Sequence, residues 1–116
     1  MKNINKGGHT MVFKKTITVS KERASELQKL IDMEEINFEE MDIEEDAVLA
    51  SFTAKFENGF WIDINVCSGQ HCCWVDTILY NPEGHEVMID EPSDILLGES
   101  YFNYGGNEYH VNLVEE

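Results

Sequence analysis

At 116 residues the chain has the length of one ordinary domain, and its 42% hydrophobic and 10% aromatic content excludes a disordered polymer despite a net charge of −15. The charge is lopsided: residues 1–33 carry seven of the eight Lys/Arg against three acids, whereas residues 34–116 carry twenty acids against the single base Lys55. Such a surface repels phosphate backbones and anionic lipid headgroups, so direct nucleic-acid or membrane binding is not the expected function, and basic protein surfaces are the natural complement.

Residues 1–11, with Gly7-Gly8-His9 ahead of a second methionine at Met11, read as a flexible leader, and residues 12–116 as one α+β domain. No apolar signal region opens the chain, and no apolar run reaches the roughly 18 residues of a membrane helix. Three cysteines, an odd number, fall within seven residues, unlike a secreted disulfide framework. The expected compartment is a reducing cytoplasm.

Phe13, Lys15, Ile17 and Val19 alternate with polar neighbours, the period-2 pattern of a half-buried strand. Ser20 then offers an N-cap, with Glu22 in the first turn, for a helix from Lys21 to about Met33. Ala24, Leu27, Leu30 and Ile31 form its apolar stripe. Residues 34–46 hold eight acids in thirteen positions: Glu34, Glu35, Glu39, Glu40, Asp42, Glu44, Glu45 and Asp46. Between them stand apolar Ile36, Phe38, Met41 and Ile43, and Asn37 with Glu40 suits the cap of a short acidic second helix, an irregular loop being the alternative.

The remainder predicts an antiparallel meander with strands at 47–57, 59–67, 72–80, 85–90, 100–104 and 107–114. Asn58-Gly59 is the signal of a tight hairpin, and Asn81-Pro82-Glu83-Gly84 and Gly105-Gly106-Asn107 mark further turns. One amphipathic helix packed on this sheet gives a two-layer fold.

The most specific local feature is Cys67-Ser68-Gly69-Gln70-His71-Cys72-Cys73-Trp74. A four-residue turn at 68–71 would set Cys67 opposite Cys72, Val66 opposite Cys73, Asn65 opposite Trp74 and Asp63 opposite Asp76, with Phe60, Ile62, Ile64, Val66, Cys73, Val75 and Leu79 on one face. Thiolate and imidazole are zinc ligands, so Cys67, His71, Cys72 and Cys73 are the expected holders of one structural zinc; plain thiols and a Cys67–Cys72 cross-strand disulfide are the competing readings. His85 lies too far along its strand to join them; His110, alternating with inward Tyr109, Val111 and Leu113, is expected to point outward, and strand order decides whether it reaches the cysteines. Like charges at Asp63 and Asp76 would destabilise the strand pair unless a partner's cation met them, so Asp63, Asp76 and Trp74 form one candidate binding patch. The eight acids of 34–46 form a second. No nucleophile turn, phosphate loop or HExxH motif is present, and no enzymatic activity is expected.

If continuously helical, the acidic run would present about one charge per 2.5 Å, comparable with the roughly 1.7 Å spacing of duplex DNA. The layout of a strand, an amphipathic helix, an acidic segment and a meander closing on Gly106-Asn107-Glu108-Tyr109-His110-Val111-Asn112 resembles small acidic proteins of Gram-positive phages and mobile elements, among them type II-A anti-CRISPR proteins. The resemblance spans most of residues 11–114 and carries over no functional residue. It implies a stoichiometric inhibitor, acting in the cytoplasm of a host bacterial cell, that binds an RNA-guided effector nuclease by protein–protein contact and blocks target-DNA loading or recognition. The alternative expectation is a generic acidic interaction module of a mobile element with a partner outside CRISPR.

Overall fold

A computed structural model describes residues 10–87 and 91–116. The expected leader up to residue 9, and residues 88–90 of the expected strand 85–90, lie outside the described residues. The elements in chain order are β1 (Val12–Val19), α1 (Lys21–Asp32), α2 (Phe38–Met41), β2 (Val48–Lys55), β3 (Trp61–Gly69), β4 (Cys72–Tyr80), β5 (Gly98–Tyr104) and β6 (Asn107–Glu115). The class is α+β, with one amphipathic helix packed on antiparallel strands.

The helix begins where its cap predicts: the Ser20 side chain accepts the Arg23 N–H at 3.2 Å, satisfying a donor that the first turn leaves unpaired. Ala24, Leu27 and Ile31 are buried, Leu30 is partly so, and α1 packs against β4. The helix ends at Asp32 because Met33 turns to extended backbone. Gln28 ties the helix to the segment leading into β5, its amide donating to the Asp94 carbonyl at 3.0 Å and its carbonyl accepting from Leu96 N–H at 3.0 Å.

The strands form two three-stranded sheets in place of one meander. β2-β3-β4 is antiparallel throughout; in β1-β6-β5 the first strand of the chain runs parallel to the last. Parallel neighbours need a long crossover, and here nearly the whole domain lies between the two strands. One core serves both sheets and the helix. Its hub is Tyr109 of β6, fully buried, stacked on Phe13 of β1 and touching Phe56 and Phe60 of the β2–β3 connection at 5.2 Å each.

That connection is the hairpin expected at Asn58-Gly59, closed by a three-residue loop. The Phe56 N–H bonds to the Phe60 carbonyl across this loop, in which Gly59 alone has positive φ (+92°). Asn58 instead spends its side chain on the core, donating from Nδ2 to the Tyr109 hydroxyl at 2.9 Å. The two-residue turns with positive φ at both positions are Gln70-His71 and Gly105-Gly106. For the expected strand at 85–90, the described part makes a single bridge, Glu86 to Tyr80 at the end of β4.

Candidate protein-interaction surface

The acidic segment is a short helix between two bent arms. Ile36 and Phe38 are buried and act as its roots, while all eight carboxylate residues from Glu34 to Asp46 are exposed. Asn37 caps α2 by accepting the Glu40 N–H at 3.0 Å. Asp42 and Asp46, at φ 57° and 56°, end the helix and turn the chain into β2. Helix is confined to Phe38–Met41, so the even charge spacing of a continuous helix is not formed; the carboxylates spread over the whole turn–helix–turn.

Backbone and one buried hydroxyl hold this segment to the tip of the β3–β4 hairpin. The Ile36 N–H donates to the His71 carbonyl at 2.7 Å, and His71 Nδ1 lies 3.4 Å from the Ile36 carbonyl. Ser68, 3% exposed, donates its hydroxyl to the Glu44 carbonyl at 2.7 Å and accepts from the Ala47 N–H at 3.2 Å, while its own N–H donates to the Ala47 carbonyl at 2.9 Å. Between the acidic segment and the tip lies a cleft of about 470 Å³, with Glu35, Glu39, Glu45 and His71 on its walls. Among the described residues none of the eight acids forms an ion pair; the arginine–carboxylate bridge there is Arg23–Glu26 on α1.

The hairpin register corrects the expected pairing by two residues. The turn is Gln70-His71, so Gly69 faces Cys72, Ser68 faces Cys73, Cys67 faces Trp74, Asn65 faces Asp76 and Asp63 faces Ile78. The two carboxylates therefore do not oppose each other. Asp63 accepts the Thr53 hydroxyl at 2.8 Å, and Asp76 accepts the Cys67 thiol at 3.7 Å. A shift of two leaves every side chain on its expected face. Ile62, Ile64, Val66, Cys73, Val75 and Leu79 are all buried, as expected, Phe60 ahead of β3 is half-buried against the core, and Asp63, Trp74 and Asp76 share the half-buried outer face.

The same alternation separates the cysteines. Cys73 points into the core while Cys67 and Cys72 lie on the outer face, Cys72 donating its thiol to the Gly69 carbonyl at 3.4 Å. The expected quartet of Cys67, His71, Cys72 and Cys73 is not gathered around one point, and among the described residues no group of three or more His, Cys, Asp or Glu side chains is placed to hold a metal ion. No disulfide joins the cysteines. Burial, and then the neighbouring Cys72, push the Cys73 thiol above its ordinary pKa of 9.0. His110 points outward as expected and sits between Glu108, 3.1 Å away, and Glu99, 3.6 Å away.

The two candidate patches meet at Gly69. A methyl group there would lie 2.9 Å from Asp46 Oδ1 and 3.3 Å from the Trp74 ring, so the end of the acidic segment and the tryptophan flank one bare backbone position. Farther along the outer face, Trp61 stacks on Tyr80 at 5.4 Å. Sequence reading missed this stack because the shifted register hid that Trp61 and Tyr80 are cross-strand partners. It missed Ser68 because one small polar residue beside a turn carries no distinguishing signal.

The fold and surface thus define a small acidic α+β domain with an exposed carboxylate segment anchored beside an aromatic sheet face. Among the described residues no helix is long and apolar enough to cross a membrane. The chain matches no protein-family model, and no curated protein or solved structure matches it.

Proposed function

We propose that the chain is a protein-binding inhibitor that lays its acidic segment and the adjoining sheet face onto a cationic groove of a basic protein. The partner in this reading is an RNA-guided type II effector nuclease, and the consequence of binding is that target DNA cannot be loaded or recognised. One observation carries it: eight exposed carboxylates, unpaired by the cations of the described residues, stand on a segment pinned by Ile36 and Ser68. A pre-ordered binding segment loses less entropy on docking than a flexible tail would. Effector nucleases hold their heteroduplex and DNA in positively charged channels, and an acidic ligand is steered toward such a channel. Trp74, half-buried at the junction, supplies the aromatic anchor that interface energetics favour.

The test is cleavage of a DNA target by a purified, guide-loaded effector with the protein added at graded salt. The expected result is stoichiometric loss of cleavage, with affinity falling at least about tenfold between low and moderate ionic strength. Neutral amide replacements of Glu34, Glu35, Glu39, Glu40, Asp42, Glu44, Glu45 and Asp46 should abolish the effect. If the neutralised protein inhibits as well as the original, the reading fails. Binding that leaves cleavage intact would instead favour an acidic interaction module with another role.

A further inference from the structure

We propose that the outer edge of β5 is a docking strand, to which an extended, lysine- or arginine-bearing segment of a partner protein adds as a fourth strand of the β1-β6-β5 sheet. Gly105-Gly106 is a two-residue turn that sets Tyr104 opposite Asn107. Residues flanking such a turn form a hydrogen-bonded pair, and bonded and non-bonded pairs alternate along an antiparallel ladder. Phe102 and Ser100 therefore turn their backbone groups toward β6, whereas Glu99, Tyr101 and Asn103 turn theirs to the opposite edge. Among the described residues no strand pairs with that edge.

The neighbouring sheet shows the contrast. There the chain covers the outer edge of β4 itself: Val75 and Ser93 exchange bonds of 2.9 and 2.7 Å, and the Leu79 carbonyl accepts the Val87 N–H at 3.0 Å. No described segment is laid along β5 in the same way. Beside it runs a groove of about 320 Å³ between the strand and residues 91–93, with buried Thr77 and Phe102 below and Glu91 and Glu99 at its sides. A strand entering there would find backbone partners on one side and, for alternate side chains, a recess on the inner face and Glu99 with exposed Tyr101 on the outer one.

Charge selects the occupant. A second copy pairing edge to edge would bring two acidic surfaces together, Glu91 and Glu99 of each copy among them, on a chain of net charge −15. The nearest outer-face lysine by register, Lys14, stands two strands away on β1, and among the described residues no lysine or arginine forms an ion pair with Glu91 or Glu99. A segment with cationic side chains at alternate positions removes that repulsion and places cations over Glu99 and the Tyr101 ring. This site uses a different sheet from the acidic segment and stands or falls separately from the inhibitor reading.

The test is a titration of the full chain with a peptide of about eight residues alternating lysine and valine, a length typical of a strand, read by amide hydrogen exchange. Binding should slow exchange at Glu99, Tyr101 and Asn103 by at least about tenfold. N-methylation of one edge of the peptide backbone should weaken binding about tenfold, because each lost donor removes a ladder bond. Tyr101→Pro, which removes an outward N–H and keeps the β5–β6 ladder, and Glu99→Lys, which keeps the backbone and reverses the charge, should each weaken it similarly. No binding, binding indifferent to N-methylation, protection confined to residues 34–46, or a β5-protected dimer without peptide would each overturn the proposal.

Discussion

Ser68 shows how one buried hydroxyl can determine the posture of a charged surface. Its side chain bonds to Glu44 and Ala47 in a site shielded from solvent. Ser68→Ala leaves those backbone groups without their partner, and a loss of about 1–3 kcal/mol in urea unfolding is expected, with faster amide exchange at residues 44–47. Cys73 is the second informative residue. Its side chain is shielded in the core, so native-state thiol labelling should modify Cys67 and Cys72 and reach Cys73 only on unfolding. The sign of its pH dependence follows from the raised pKa. The fold favours the neutral thiol, so this contribution is complete below 9.0 and is lost as pH rises from there through the higher folded value. Unfolding midpoints measured across alkaline pH should decline more steeply for the native chain than for Cys73→Ala. In a linear reading Cys72 and Cys73 are adjacent ligands, but a strand sends neighbours to opposite faces.

At the scale of elements, the β3–β4 hairpin explains which parts of its geometry are legible in the residues. Period-2 patterning determines the face of each side chain, and every apolar position of β3 and β4 expected inside is inside. A register shift of two preserves all those faces, so pattern alone cannot choose between Cys67–Cys72 and Gly69–Cys72 pairing. The choice depends on the turn, and Gln70-His71 has poor chemistry for it: both residues adopt the left-handed conformation, at φ 48° and 68°, which suits an Asn-Gly pair far better. The double substitution Gln70→Asn with His71→Gly is expected to stabilise the domain by about 1 kcal/mol and raise its melting temperature by several degrees. The opposite outcome is expected of Gly69→Ala, whose methyl group would press on Asp46 and Trp74. It should destabilise the chain and weaken partner binding together, since it disturbs the junction of the two patches.

At the scale of the whole molecule, two opposing terms stand out: a shared core that draws the sheets together and a net charge of −15 that pushes the surface apart. Self-repulsion is screened by salt, so thermal stability should rise as sodium chloride increases from low to moderate concentration, in the range where partner binding weakens. Observing both trends in one protein would separate surface electrostatics from core packing. Tyr109 is where the core is most vulnerable, because it joins β1, β6 and the β2–β3 loop. Tyr109→Ala should cost about 3–5 kcal/mol, as for other large aromatic truncations, and Tyr109→Phe roughly 1 kcal/mol through loss of the Asn58 bond.

The residues alone determined whatever depends on neighbours along the chain: the Ser20 cap and the apolar stripe of α1, the Asn37 cap, the alternation of each strand, and the density of carboxylates at 34–46. Local chemistry sets these through backbone geometry and side-chain period, over distances the chain itself spans. Only the tertiary structure decided the split into two sheets, the parallel pairing of β1 with β6, the two-residue register of the hairpin and the meeting of Asp46 with Trp74 over Gly69. These depend on contacts between residues far apart in sequence, and many pairings bury the same apolar faces. The packing around Tyr109 and the bonds of Ser68 distinguish among them.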